Sequence, residues 1–177
     1  MWRQKTSESV EVSPKTMTPA RPQRKLSLLL ALGLCAGMAA PPPVQAAAEP
    51  VVVNPNTGLA ISGFDPVAYF TDGRPQFGRS DLELRIDGIV WRFVNEGDRA
   101  AFQDHPEVYS PRFGGYDPVA LARGNSVPGH PLVWAVTGER LYLFYSDAAR
   151  AAFLADPGRY IAAATRKWPA VARTIAR

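Results

Sequence analysis

The chain has 177 residues, of which 46% are apolar and 20% charged, the proportions of a globular protein with one domain or at most two. Its net charge of +4 arises entirely ahead of residue 49, where six Lys and Arg residues stand against two Glu; from Glu49 onward 14 basic residues meet 14 acidic ones. A formally neutral domain carries no basic stripe to track phosphates, which excludes nucleic acid as a partner class.

The first segment reads as an export signal. Arg21, Arg24 and Lys25 precede an apolar run from Leu26 to Ala40, followed by the triplet Pro41, Pro42, Pro43 and the small residues Ala46 to Ala48. The run is shorter than the roughly 20 apolar residues a bilayer span needs, and Gly33 and Gly37 interrupt it. A signal peptide over 1–48 is therefore expected, cleaved after Ala46 or Ala48, with no stable membrane span afterwards and a periplasmic or secreted product. The leader ahead of Met17 is long for such a signal, and a start at Met17 gives one of conventional length. Cys35 follows Leu34, where a lipobox calls for a small residue. Cleavage removes Cys35, the single cysteine, so the mature part over 49–177 has no disulfide, thiolate nucleophile or sulfur-rich metal site.

Beyond the leader, Gly63 to Ala68 reads G-F-D-P-V-A and, 52 residues later, Gly115 to Ala120 reads G-Y-D-P-V-A. Arg99 to Tyr109 (R-A-A-F-Q-D-H-P-E-V-Y) returns 51 residues on as Arg150 to Tyr160 (R-A-A-F-L-A-D-P-G-R-Y), with six of eleven positions identical. Two blocks in the same order at nearly one offset predict an internal duplication, with repeats over about 63–112 and 115–164. A solenoid or propeller needs at least three copies, and only two fit here. In chain order each half opens on Asp-Pro, with Asp65 or Asp117 as helix cap and Pro66 or Pro118 at the first helical position. A short helix follows, over Pro66 to Phe70 and Pro118 to Arg123. A hairpin comes next: Leu82 to Ile86, a turn at Asp87-Gly88 and Ile89 to Val94, then in the second half Leu132 to Val136, a turn at Thr137-Gly138 and Arg140 to Tyr145. Asn95 or Ser146 starts a second helix that ends before Pro106 or Pro157. Hairpins of this size do not stand alone in water. The expected fold is thus α+β, a compact domain of two pseudo-repeated helix–β-hairpin–helix halves sharing one core.

The stretch Asn54 to Phe70 (with Thr57-Gly58-Leu59-Ala60-Ile61-Ser62-Gly63-Phe64-Asp65-Pro66-Val67-Ala68-Tyr69-Phe70), Trp91-Arg92-Phe93, Ala101 to Tyr109 and Gly114-Gly115-Tyr116 resemble the exported proteins of the YHS domain family. The similarity runs from about Asn54 to Pro169. It implies a small α+β domain and, across the wider family, an association with metal binding, often copper, through cysteines. Exported members commonly carry cysteine or selenocysteine directly after G-G-Y, whereas here Asp117 stands there. A thiol at a helix start is acidified by free backbone N–H groups and suits redox or soft-metal chemistry; an aspartate there is a cap. The other position where the family places cysteine, after the aromatic of the second strand, holds Val94 and Tyr145.

Candidate ligand-binding residues are Tyr116, Asp117, His130, Trp134 and Asp65. Asp65 and Asp117 suit helix caps, or paired acids if the halves bring them together. His130 sits in Pro128-Gly129-His130-Pro131, a loop, and His105 in a helix-ending turn. Tyr116 and Trp134 belong to an aromatic set, with Tyr69, Trp91, Tyr142 and Tyr145, suited to a core or to a pocket with polar tips. No G-x-S-x-G, phosphate-cradling loop or dinucleotide fingerprint occurs. The expected function is a non-catalytic exported binding or accessory module, taking a small ligand or a protein partner and needing no cofactor. The alternatives are copper or zinc binding through Asp117, Asp65 and His130, and an enzyme that uses the two carboxylates.

Overall fold

The computed structural model describes residues 50–176. The expected leader, with Met17, Cys35 and the cleavage site, lies outside the described residues. The fold of the described residues is mixed α+β, with six α-helices and two antiparallel hairpins among them.

The first half runs through α1 (Ala68–Thr71), β1 (Arg79–Ile86), β2 (Ile89–Phe93), α2 (Glu96–Asp104) and α3 (Pro106–Tyr109). The second runs through α4 (Pro118–Ala122), β3 (His130–Thr137), β4 (Arg140–Phe144), α5 (Asp147–Ala155) and α6 (Pro157–Ile175). Helix starts follow local chemistry. The side chains of Asn95 and Ser146 accept from the N–H groups of Asp98 and Ala149, at 2.8 and 3.2 Å, and so cap α2 and α5. Proline holds the first position of α3, α4 and α6, where its missing N–H costs nothing.

Both hairpins depart from their expected bounds in the same way. β1 and β3 begin upstream of Leu82 and Leu132, because a bulge lets the ladder resume: Arg79 pairs with Phe93 and Glu83 with Arg92, and His130 pairs with Phe144 and Trp134 with Leu143. The second turn falls at Gly138-Glu139, one residue beyond the expected Thr137-Gly138, since Thr137 still pairs with Arg140. His130 is accordingly the first residue of β3.

Buried side chains form two clusters that meet on β4. Leu141 and Leu143 pack with Ile61, Phe64, Tyr69, Trp91, Phe93 and Phe102, while Tyr142 and Phe144 pack with Phe113, Leu121, Phe153 and Trp168. Successive strand residues point to opposite faces, so one strand serves both clusters. At about 25 cal/mol per Å2 of apolar area removed from water, these aromatic and aliphatic side chains supply most of the folding drive.

Ahead of each Asp-Pro the chain takes a left-handed turn. Ile61, Ser62 and Gly63 have φ of 39, 58 and 82°, and Phe113, Gly114 and Gly115 have 55, 60 and 86°. Positive φ at a β-branched or bulky residue is strained, at about 1–3 kcal/mol each, and persists only where its surroundings enforce it. Ile61 and Phe113 are 1% and 2% exposed, so burying their side chains compensates for the strain.

α6 runs well past the expected end of the second repeat, at about residue 164. Tyr160, Ile161, Ala164, Trp168, Val171, Ala172 and Ile175 recur at helical spacing and lie against the second cluster, and that face carries the helix through Pro169. Gly158, in the first turn of α6, has no positive φ, and a methyl group on its Cα would meet nothing within 4 Å. Gly158→Ala is expected to raise stability by about 0.5 kcal/mol, measured by urea unfolding, because alanine restricts the unfolded chain. No described helix is long and apolar enough to cross a membrane.

Candidate functional site

A cleft of about 360 Å3 opens where three stretches of chain converge. Val52 to Pro55 form one wall, Ser62 and Phe64 of the first left-handed turn another, and Pro128 to Pro131 with Tyr145 the third. Its surface is apolar and proline-rich, and its polar groups are the side chains of Asn54, Ser62, His130 and Tyr145. Tyr145 is 68% exposed. The Leu132 N–H donates to His130 Nδ1 at 3.2 Å, so in the neutral ring Nε2 carries the proton and is the donor nitrogen.

The walls are fixed from behind. Asp117 is 2% exposed; its Oδ1 accepts from the Val119 and Ala120 N–H groups at 2.7 and 3.2 Å, and its Oδ2 accepts from the Tyr145 N–H at 2.9 Å. One carboxylate thus starts α4 and pins the backbone of a cleft residue. Tyr116 is half-buried, bridges to Pro128 through the backbone, and sets its ring 5.9 Å from that of Trp168. Burial pushes its hydroxyl above the usual tyrosine range. Trp134 stands edge-on to Tyr69 at 5.2 Å, and the Tyr69 hydroxyl donates to the Pro131 carbonyl at 3.0 Å. Desolvation raises the Tyr69 hydroxyl far above its ordinary range.

Asp65 is fully buried. Its Oδ1 accepts from the Val67 and Ala68 N–H groups at 2.8 and 3.4 Å, and its Oδ2 from the Val94 N–H at 2.7 Å. Asp65 and Asp117 are therefore each turned onto backbone donors of their own half and present no paired carboxylates to the cleft. Of the five residues singled out from the sequence, His130 lines the cleft. Asp117, Tyr116 and Trp134 support its walls, and Asp65 stands behind α1. Among the described residues no group of three or more His, Cys, Asp or Glu comes together as a metal shell requires.

Three features escape a reading of the sequence. The N-terminal wall depends on Val52 donating its N–H to the Gly114 carbonyl at 2.8 Å, a contact between distant segments. Phe77, 70% exposed, lies over Phe64 with ring centroids 4.0 Å apart, and no local pattern marks it. Asp98 is 7% exposed, although its place in the first turn of α2 suggests a solvated residue favoured by the helix dipole. Comparison with protein-family models, with curated proteins and with solved structures finds no match for this chain.

Proposed function

We propose that the chain is an exported YHS-like domain, periplasmic or secreted, that binds a ligand without transforming it and does so at the cleft of His130 and Tyr145. The carrying observation is chemical: the cleft has an apolar wall with imidazole, phenol, hydroxyl and amide groups, and no carboxylate or guanidinium lines it. Such a surface suits an uncharged ligand with a flat apolar body and one or two hydrogen-bonding groups. Its volume is at the small end of ligand pockets, which run from about 300 to 1,000 Å3.

The domain is read as two copies of one unit. Sequence blocks recur at offsets of 51 and 52 residues, and the two hairpins share one register and one bulge position. The YHS resemblance rests on the motifs quoted above. In that frame Asp117 holds the place of the family's thiol and supplies architecture where sulfur would supply reactivity. Against the alternatives, both oxygens of Asp65 and of Asp117 already accept backbone N–H bonds, which favours neither carboxylate catalysis nor metal ligation by these residues.

The test is titration of the exported protein with phenol and with indole, followed by amide chemical shifts. The largest changes are expected around Ser62, His130 and Tyr145, with affinity falling at least fivefold in His130→Ala and Tyr145→Ala while the unfolding temperature stays within a degree or two. Shifts scattered elsewhere would overturn the cleft reading. Tight one-to-one Cu(II) or Zn(II) binding by calorimetry, lost in His130→Ala, would replace it with the metal reading.

A further inference from the structure

Each hairpin sets an aromatic ring against the helix that follows it, and the two pairs match. Trp91 of β2 and Phe102 of α2 have ring centroids 4.7 Å apart at 42°, and Tyr142 of β4 and Phe153 of α5 have theirs 4.9 Å apart at 41°. What comes next in the chain differs. In the second half α6 runs on and brings Ile161, Ala164 and Trp168 into one cluster with Tyr142 and Phe153. In the first half α3 stops at Tyr109, the backbone becomes extended at Ser110, and Trp91 and Phe102 line a cavity of about 300 Å3. This cavity shares no lining residue with the cleft of His130 and Tyr145.

Its charge is one-sided. Asp87, from the first hairpin turn, and Glu107, from α3, line it together with the hydroxyl residue Ser110, and no Lys or Arg does. Asp87 is exposed and has no ion-pair partner among the described residues. Glu107 faces His105, whose Nδ1 is 3.7 Å from Oε1, and both side chains are exposed. The cations closest in the chain or by contact are held on main-chain oxygens: Arg85 donates to the Gly88 carbonyl at 2.9 Å, and Arg140 to the carbonyl of Glu107 and not to its carboxylate. With the halves read as two copies, the hairpin register puts Gly138 in the place of Asp87, and Pro157-Gly158 opens α6 as Pro106-Glu107 opens α3. The two carboxylates are thus not needed by the shared framework and accompany only the open cavity.

We propose that this cavity is a second binding site and that it takes a small organic cation, a primary ammonium on a short aromatic or aliphatic body. The walls dictate each part of that ligand. Ile86, Ile89 and Phe102 receive the apolar body. An ammonium has three donors and no acceptor, which matches two carboxylates and a hydroxyl, and the Trp91 ring adds cation–π attraction. The volume lies at the lower limit of ligand pockets and restricts the body to a single ring or a short chain. An anion of the same shape meets two like charges and is rejected. The inference goes beyond the cleft reading and does not rest on it.

The test is titration of the exported protein with 2-phenylethylamine, 2-phenylethanol and 3-phenylpropanoate near neutral pH, followed by amide and indole N–H signals. The amine is expected to bind at least about fivefold more tightly than the alcohol, and the carboxylate not to bind. The largest changes should fall at the Trp91 indole and at the amides of Asp87, Glu107 and Ser110. Because both carboxylates are exposed, the preference for the amine should shrink as salt is raised. Asp87→Asn and Glu107→Gln remove charge at constant size, and asparagine tolerates the φ of 49° at residue 87. Each should weaken the amine about threefold while the affinity for the alcohol and the unfolding temperature stay unchanged.

No saturable binding of the amine, equal binding of amine and alcohol, or an amine affinity unchanged in both variants would each overturn the proposal. So would shifts confined to Ser62, His130 and Tyr145. Phenol and indole are read at those three residues, so either result stands without the other.

Discussion

Replacing Asp117 with alanine is expected to lower the free energy of unfolding by about 3–5 kcal/mol, read from urea denaturation of the exported protein. The carboxylate does two jobs at once. Oδ1 accepts from Val119 and Ala120, two of the free donors at the start of α4, and Oδ2 accepts from Tyr145 just past β4. Losing a helix cap alone costs about 1 kcal/mol, and each buried N–H left without an acceptor adds about 1–3. Water cannot easily take over, since Asp117, Pro118 and Val119 are all buried. Asp117→Asn should lose less, because an amide oxygen can still serve Val119 and Ala120 while its NH2 group opposes the Tyr145 N–H. An alanine variant within about 0.5 kcal/mol of wild type would show that the carboxylate is not structural.

Gly78→Ala is expected to cost about 3 kcal/mol, the upper end of what an added methyl group costs in a packed interior. A Cβ at residue 78 would lie 2.4 Å from the Arg92 carbonyl carbon and 2.5 Å from the Arg92 Cβ and the Phe93 nitrogen. These atoms belong to the backbone and first side-chain carbon of β2, so no rotamer change relieves the contact. Either the hairpin separates or the Gly78 N–H loses the Gly63 carbonyl, which it now meets at 2.9 Å. Gly129 is in a similar position against Leu143, at 2.6 Å to its Cβ, and donates to the Gly115 carbonyl at 2.9 Å. The same measurement on Gly158→Ala gives the contrast of an unhindered helical site. A loss below about 1 kcal/mol for Gly78→Ala would mean that β2 shifts more freely than its packing implies.

Much of the fold is legible where a residue type has one dominant local use. Asp-Pro announces the start of α4, Asn95 and Ser146 those of α2 and α5, and alternating residues around Asp87-Gly88 the first hairpin, whereas α1 departs from its expected start at Pro66 and begins at Ala68, with Val67 and not Asp65 at its N-cap. The strand starts at Arg79 and His130 are not legible, because a bulge restores pairing only through partners on β2 or β4, which no local pattern encodes. The length of α6 is hidden because Pro169 reads as a breaker, whereas burial of Trp168 and Ala164 against the second cluster outweighs the lost hydrogen bond. For the cleft, His130 is visible as a loop histidine, but its companions are not. Val52 to Pro55 reach it through a contact with Gly114, and Ser62 through a left-handed turn that starts at Ile61, a residue type that avoids such backbone. Asp98 looks like a solvated residue in a first turn, and only tertiary packing buries it.

The bulges have a colloidal consequence. Among the described residues each hairpin has two strands and, apart from the single bridge between Leu59 and Val90 of β2, their outer sides have no ladder partner, the kind of surface on which chains stack into fibrils. The irregular step between Arg79 and Glu83, and between His130 and Trp134, breaks the regular row of amides, while Arg79, Asp81, Glu83 and Arg85 load the first of these borders with charge. Irregular pairing and border charge of this kind oppose the edge-to-edge association that a straight, uncharged strand of equal length invites.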